Sequence, residues 1–269
     1  MKKKRLLSLI FVLFFGGLLI FSGIKIVLWK IDSDNTNAEI SDLQDKTPVE
    51  EKTDDESTEI VSSDEPPLDY GLYWKFLNTP FLSVNLSDLK AENSDTVGWL
   101  KVEGTNVNYP FVQASDNKYY LTHSFSKNYN SACWVFLDYR NSPALTDKNS
   151  IIYAHGRTDK TMFGSLHNLL GDSWRANSDN FLIRTVTASS SNVYQIFSVY
   201  VIPETSDYLK TSFASDDGFK NFAETLKSRS NFDFNTSVSG GDHILTLSTC
   251  YDDYSRIVVH AKLIKYSNN

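Results

Sequence analysis

The chain opens with an apolar run, LLSLIFVLFFGGLLIFSGIKIVLW over residues 6–29, in which Lys25 is the only charge. Wound as a helix, this run is roughly 36 Å long, enough to cross a hydrocarbon core of about 30 Å. Residues 31–67 then show neither the helical nor the strand period; they are polar, acidic and nearly free of aromatic residues. Such a segment buries too little apolar surface to offset the entropy of ordering it, which predicts a flexible, disordered linker. From Leu68 the pattern changes again. Two short helical pieces are predicted at Tyr70–Asn78 and Leu86–Glu92. Eight runs rich in Val, Ile, Tyr and Phe follow: VGWLKV from Val97, VNYPFV from Val107, CWVFLD from Cys133, SIIYA from Ser150, FLIRTVTA from Phe181, NVYQIFSVYVI from Asn192, HILTLST from His243 and RIVVHAKLI from Arg256. Each is bounded by Gly, Asn, Asp or Ser, as strands are. Helices are expected over about 161–170 and 216–229; in the second, Ser215 stands as N-cap and Phe219, Phe222, Ala223 and Leu226 share one face. Eight such strands with few helices predict a mostly β architecture, an eight-stranded barrel rather than βαβ units. The expected division is a basic tip and anchor over 1–30, a linker over 31–67 and a folded domain over 68–269.

Charge sharpens this division. Residues 1–30 carry six Lys or Arg and no acid, whereas residues 31–67 carry thirteen Asp or Glu against two Lys. With a total of −7, the domain itself is close to neutral. It offers no basic patch, so no nucleic-acid partner is expected. Lys2, Lys3, Lys4 and Arg5 precede the apolar run, and the positive-inside bias leaves the N-terminus cytoplasmic and the domain outside. A cleaved signal peptide would have an apolar region of about 7–15 residues and a small-x-small site. Trp29-Lys30-Ile31 provides no such site, and an uncleaved single-pass anchor is the expectation. The two cysteines, Cys133 and Cys250, would in an extracellular domain ordinarily be bridged. Cys133, however, lies in an apolar run, where a cysteine packs as a small hydrophobe. Two free thiols are expected, one buried and one at a strand end.

Cys250 closes HILTLSTC where a strand gives way to the polar turn YDDYS, and Arg256 opens the returning strand. A hairpin brings both to the same rim of the sheet, where fixed positive charge favours the thiolate, the form that attacks a carbonyl. An inert, merely packed Cys250 is the plain alternative. A cysteine nucleophile also needs a proton-transfer partner, ordinarily His. His243 is roughly 23 Å back along the same strand, and His260 lies roughly 13 Å beyond Arg256, by the rise of an extended chain. His167 belongs to a helical segment. His155, at the exit of SIIYA before Gly156, and His123, in LTHSFS, are equal candidates on geometry alone.

The stretch TLSTC at 246–250, with the arginine of RIVVHAKL downstream, resembles the signature of sortases, the cysteine transpeptidases of Gram-positive bacterial surfaces. The likeness runs through most of residues 70–265, including TVGWLKVEGTNVNYPFVQASDNKYYLTHSF (96–125), VFLDYRN (135–141), SIIYAHG (150–156) and MFGSLHNL (162–169). It is greatest to class B, to which the helix at 216–229 and the helical N-terminal piece are also similar. The resemblance implies that Cys250 is the nucleophile, His155 the family's histidine and Arg256 its arginine. Thr249 and Ser248 would line the oxyanion and substrate site, and Asp252 matches an acid often found two residues after the cysteine. The loop from Pro203 to Phe213 would shape the substrate groove, with Tyr208 a candidate lining residue. The Cys-to-Arg spacing of six is shorter than in many sortases and requires a tight loop. The implied activity is cleavage of an LPxTG- or NPxTG-like sorting signal at its Thr. The secreted protein would then pass to an amine of the peptidoglycan cross-bridge or its lipid-linked precursor, with no metal or organic cofactor. A pilus-associated sortase and a non-enzymatic surface protein are the alternatives.

Overall fold

The structure, a computed structural model, describes residues 2–61, 67–250 and 254–269, with residues 2–5 and Cys250 described by their backbone alone. Its first element, α1 (Lys2–Lys46), is a 45-residue helix, long and apolar enough to cross a membrane. Over its apolar run the large side chains, such as Leu13, Leu19 and Ile20, are exposed all round, so these side chains pack on nothing else in the described residues. The helix does not stop where this run does. Ser33, Thr36 and Leu43 recur at helical spacing on one side and are buried. Strand β1 (Val49–Lys52) and strand β2 (Thr58–Ile60) follow; β2 adds to the outer edge of the chain's last strand.

Where a disordered 31–67 linker is expected, residues 31–61 carry the end of α1 and two strands, and residues 62–66 lie outside the described residues. Two acids of the segment pair with cations of the domain: Asp54 with Lys265 at 2.5 Å and Glu51 with Arg184 at 2.9 Å. Lys265 is fully buried beneath this cover, its ammonium 4.5 Å from the centre of the Phe81 ring. A buried ammonium without a counter-charge is strongly destabilising, so Asp54 ties the acidic segment to the domain.

The helix α2 (Tyr70–Leu77), capped by Asp69, leads into β3 (Phe81–Val84), which pairs with β1, and into α3 (Ser87–Glu92). The barrel strands are β4 (Thr96–Val102), β5 (Asn108–Val112), β6 (Phe136–Leu137) and β7 (Asn149–Ala154), then β8 (Leu182–Thr187) and β9 (Ser190–Pro203) after the short α4 (Asp172–Arg175). The helix α5 (Asp216–Ser228) precedes β10 (Ile244–Cys250) and β11 (Ser255–Asn268). Hydrogen bonds run β10-β7-β6-β5-β4-β8-β9-β11, and β11 returns to β10. The ring is an eight-stranded closed barrel, as the eight apolar runs predicted. Two pairings, β7 with β10 and β5 with β6, are parallel.

Strand alternation sorts the β10–β11 hairpin onto two cores. Leu245, Leu247, Ile257 and Val259 enter the barrel interior with Trp99 and Phe111. Ile244 and Val258 face outward onto Phe219, Ala223 and Leu226 of α5. Burying one such side chain contributes about 1.5–3 kcal/mol. The helix α5 starts as predicted, with the Ser215 hydroxyl accepting from the Gly218 N–H at 3.1 Å.

Candidate active site

The parallel pairing of β7 with β10 decides the site. It sets Tyr153 beside Ser248 and Ala154 beside Thr249, so the two strands leave the barrel at the same rim. The antiparallel β10–β11 pairing sets Cys250 opposite Arg256. His155, nearly a hundred residues earlier in sequence, therefore shares three adjacent strand ends with Cys250 and Arg256.

At that rim lies a groove of about 410 Å³ whose walls include His155, Arg256, Ser248, Thr249 and Tyr208, with Leu121, Tyr153, Glu204 and Leu209. The His155 ring Nε2 donates to the Leu121 carbonyl at 3.2 Å, and its backbone N–H donates to the Cys133 sulfur at 3.3 Å. Burial pushes the imidazole below its ordinary pKa of 6.5; the Leu121 carbonyl partly opposes this, and the guanidinium groups of Arg157 and Arg256 add to the depression. The Arg256 guanidinium is held at the wall by Glu204 at 3.0 Å and donates to its neighbour's carbonyl, Ser255 O, at 3.1 Å.

The wall from Pro203 to Phe213 is fastened by side chains from three other parts of the chain. Arg140 donates to the Leu209 carbonyl at 3.0 Å, Asn149 to the Lys210 carbonyl at 2.8 Å, and Arg229 pairs with Asp207. Arg140 is itself fixed by two bonds to the buried Asp138, at 2.8 and 2.7 Å. Tyr208 is buried, its hydroxyl 2.9 Å from the Ser248 hydroxyl, so it braces the groove against β10. Asp252 lies outside the described residues, as does most of the Cys-to-Arg loop.

Three of the other histidines, His123, His243 and His260, have structural surroundings. His123 stacks on Tyr119 at 4.1 Å between ring centres and bonds the Tyr119 carbonyl at 2.8 Å. His243 bonds the Asp147 carbonyl. His260 is wholly buried between the Tyr200 and Thr246 hydroxyls at 2.9 and 2.8 Å; burial, with Arg229 nearby, pushes its pKa down to about 3. Cys133 is buried, as expected, and its sulfur accepts from the His155 N–H.

The closed eight-stranded barrel, with a cysteine, a histidine and an arginine at neighbouring strand ends, is the fold of the sortase cysteine transpeptidases. Residues 100–264 match the sortase domain, and the chain belongs to the sortase family. Its relatives are of class B. Sortase B of Listeria monocytogenes is 36% identical over 183 residues, covering 66% of this chain and 74% of the relative. Sortase B of Staphylococcus aureus is 30% identical over 271 residues, covering 99% of this chain and all of the relative. A crystal structure of sortase B from Bacillus anthracis superposes with a TM-score of 0.68 at 30% identity, over 87% of this chain and 99% of that one.

Sequence reasoning missed Leu121 and Cys133 beside the histidine, and Glu204 beside the arginine. The first contributes a carbonyl and the second a sulfur that seemed only to pack. No side-chain pattern announces either.

Proposed function

We propose that Cys250 is the nucleophile, His155 the proton carrier and Arg256 the oxyanion partner of a sorting-signal transpeptidation. The Cys250 thiolate attacks the carbonyl carbon of the Thr in an LPxTG- or NPxTG-like signal. Arg256 and backbone amides near Thr249 take up the oxyanion charge, an effect worth about 3–4 kcal/mol per donor. The His155 imidazolium, its pKa lowered by burial, gives its proton to the departing amine as the C–N bond breaks. A thioester remains. An acceptor amine then attacks it, His155 takes that amine's proton, and the C–S bond breaks to regenerate the thiolate. One amide replaces another, and no further reactant is consumed.

The observation that carries this reading is the strand register that sets Cys250 opposite Arg256 and the exit of β7 beside that of β10. The apolar run of α1 anchors the chain with its N-terminus in the cytoplasm, facing the groove toward secreted proteins and toward cross-bridge or lipid-linked amines.

The test is turnover by the full chain in detergent micelles of fluorogenic LPxTG and NPxTG peptides, with and without an added amine. Cys250→Ala should abolish cleavage, and His155→Ala and Arg256→Ala should each lower it at least about a hundredfold. His123→Ala should retain most of it. Cleavage that survives Cys250→Ala would overturn the assignment.

A further inference from the structure

The chemistry above gives no reason for the membrane-crossing helix to continue for roughly four to five turns past its apolar run. The contacts of those turns do. The Thr36 hydroxyl accepts from the Asn130 side chain at 3.0 Å. A Glu39 carboxylate oxygen accepts from the Ser126 N–H at 2.8 Å and the Ser124 hydroxyl at 3.1 Å. Asp32 accepts from the Ser131 hydroxyl. Further toward the membrane the Ser33 hydroxyl donates to Asp159, and the Trp29 ring lies under the Arg157 guanidinium at 5.6 Å.

These contacts fall on two segments, and both bear on the histidine. The first is the loop between Leu121 and Cys133. It is pinched shut where the Trp134 N–H donates to the Tyr120 carbonyl at 3.0 Å. Its two neck residues are the ones that hold His155, Leu121 at the ring and Cys133 at the backbone. On one side the loop is secured by the buried Phe125, whose carbonyl accepts from Asn93 at 2.7 Å. On the other side it rests on the helix. The second segment follows His155 directly: Arg157 is buried and paired with Asp159 at 2.9 Å, and Asp159 is the residue that Ser33 grips.

We propose that the helix beyond the apolar run is a positioning element of the reaction, gripping with Ser33, Thr36 and Glu39 the two segments that cradle His155. The inference rests on the role assigned to His155 above. A proton carrier must sit within hydrogen-bond reach of the leaving nitrogen, and a misplacement of about 1 Å costs on the order of a hundredfold in rate. Neither cradle atom, a carbonyl oxygen or a buried sulfur, can correct its own position; each goes where its loop goes. The wall expected to bind the peptide, Pro203–Phe213, is the opposite one, fastened by Arg140, Asn149 and Arg229. Loosening the helix should therefore slow the chemical step and leave peptide affinity alone.

The experiment uses the full chain in micelles and the best-cleaved peptide of the panel above. Thr36→Val combined with Glu39→Ala should lower kcat about tenfold with KM within twofold of the parent. Glu39→Gln keeps the accepting oxygen and should restore most of the rate in the single-site comparison with Glu39→Ala. Amide exchange should rise over residues 121–133 and 156–161 in the double variant and stay unchanged in β8 and β9. If the double variant does not fold, Glu39→Ala alone, at a half-buried position, carries the same comparison. The proposal is overturned if exchange shows the helix released while kcat stays within twofold. It is equally overturned if the loss appears in KM or exchange rises through the whole barrel, since the helix would then only stabilise the fold. Should His155→Ala turn over like the parent, the reading of the site fails and this proposal falls with it.

Discussion

His155 is held from two directions, its ring by a carbonyl and its backbone by a thiol, and it lies beside two guanidinium groups. Burial is the largest influence on its proton, with Arg157 and Arg256 acting in the same direction. Between the ionisations of ring and sulfur, one proton is shared by the pair; below the lower one both groups are protonated and no thiolate attacks. The acid limb of kcat/KM should therefore lie below pH 6.5, with activity lost as pH falls through it. Initial rates from pH 4.5 to 9 check this, and an acid limb at or above pH 7 would contradict it. Cys250 and Arg256 were legible because a strand, a turn and a returning strand are contiguous in sequence. His155 was not separable from His123, because the choice depends on which strand exit lies beside β10.

At the scale of elements, seven of the eight apolar runs form strands close to where the alternation placed them. The run from Cys133 keeps only Phe136 and Leu137 in the ladder. Ahead of them the chain turns through a left-handed residue, Cys133 at φ 63°, a cost accepted where surrounding contacts over-determine it. The segment expected as a helix over 161–170 is instead a tight three-residue-per-turn coil, Gly164–Leu170. Close approach explains why glycine opens it: a Cβ on Gly164 would lie 2.0 Å from the Arg157 carbonyl oxygen. Gly164→Ala must push that carbonyl, and with it the segment following His155. Overpacking of this kind costs about 1–3 kcal/mol. Thermal unfolding should show that loss, and peptide cleavage should fall by more than the unfolded fraction accounts for. Equal activity per folded molecule would separate this segment from the chemistry.

Across the whole molecule, buried polar groups tie distant parts together. His260 sits neutral in the wall between barrel and α5, with a pKa near 3 against 6.5 for the free side chain. A depressed folded-state value means its contribution is fully present above pH 6.5 and is lost as pH falls toward 3, reaching about 2 kcal/mol by pH 5. Urea midpoints at pH 7 and pH 5 should show that decline, and His260→Gln should flatten it; an unchanged slope would mean that the ring is charged in the fold. The same long-range logic governs the N-terminal segment. Asp54 of that segment is the counter-charge of the buried Lys265, and Glu51, joining Glu103, pairs with the buried Arg184; the Asp54 and Glu51 pairings each span more than a hundred residues. Local pattern alone determined the apolar span, the strand count, the capped amphipathic α5 and the cysteine–arginine hairpin, since each is written in the spacing of neighbours. Only the tertiary structure decided which histidine reaches the rim, what cradles it and why an acidic stretch folds. Those outcomes depend on partners the chain brings together only by closing the barrel.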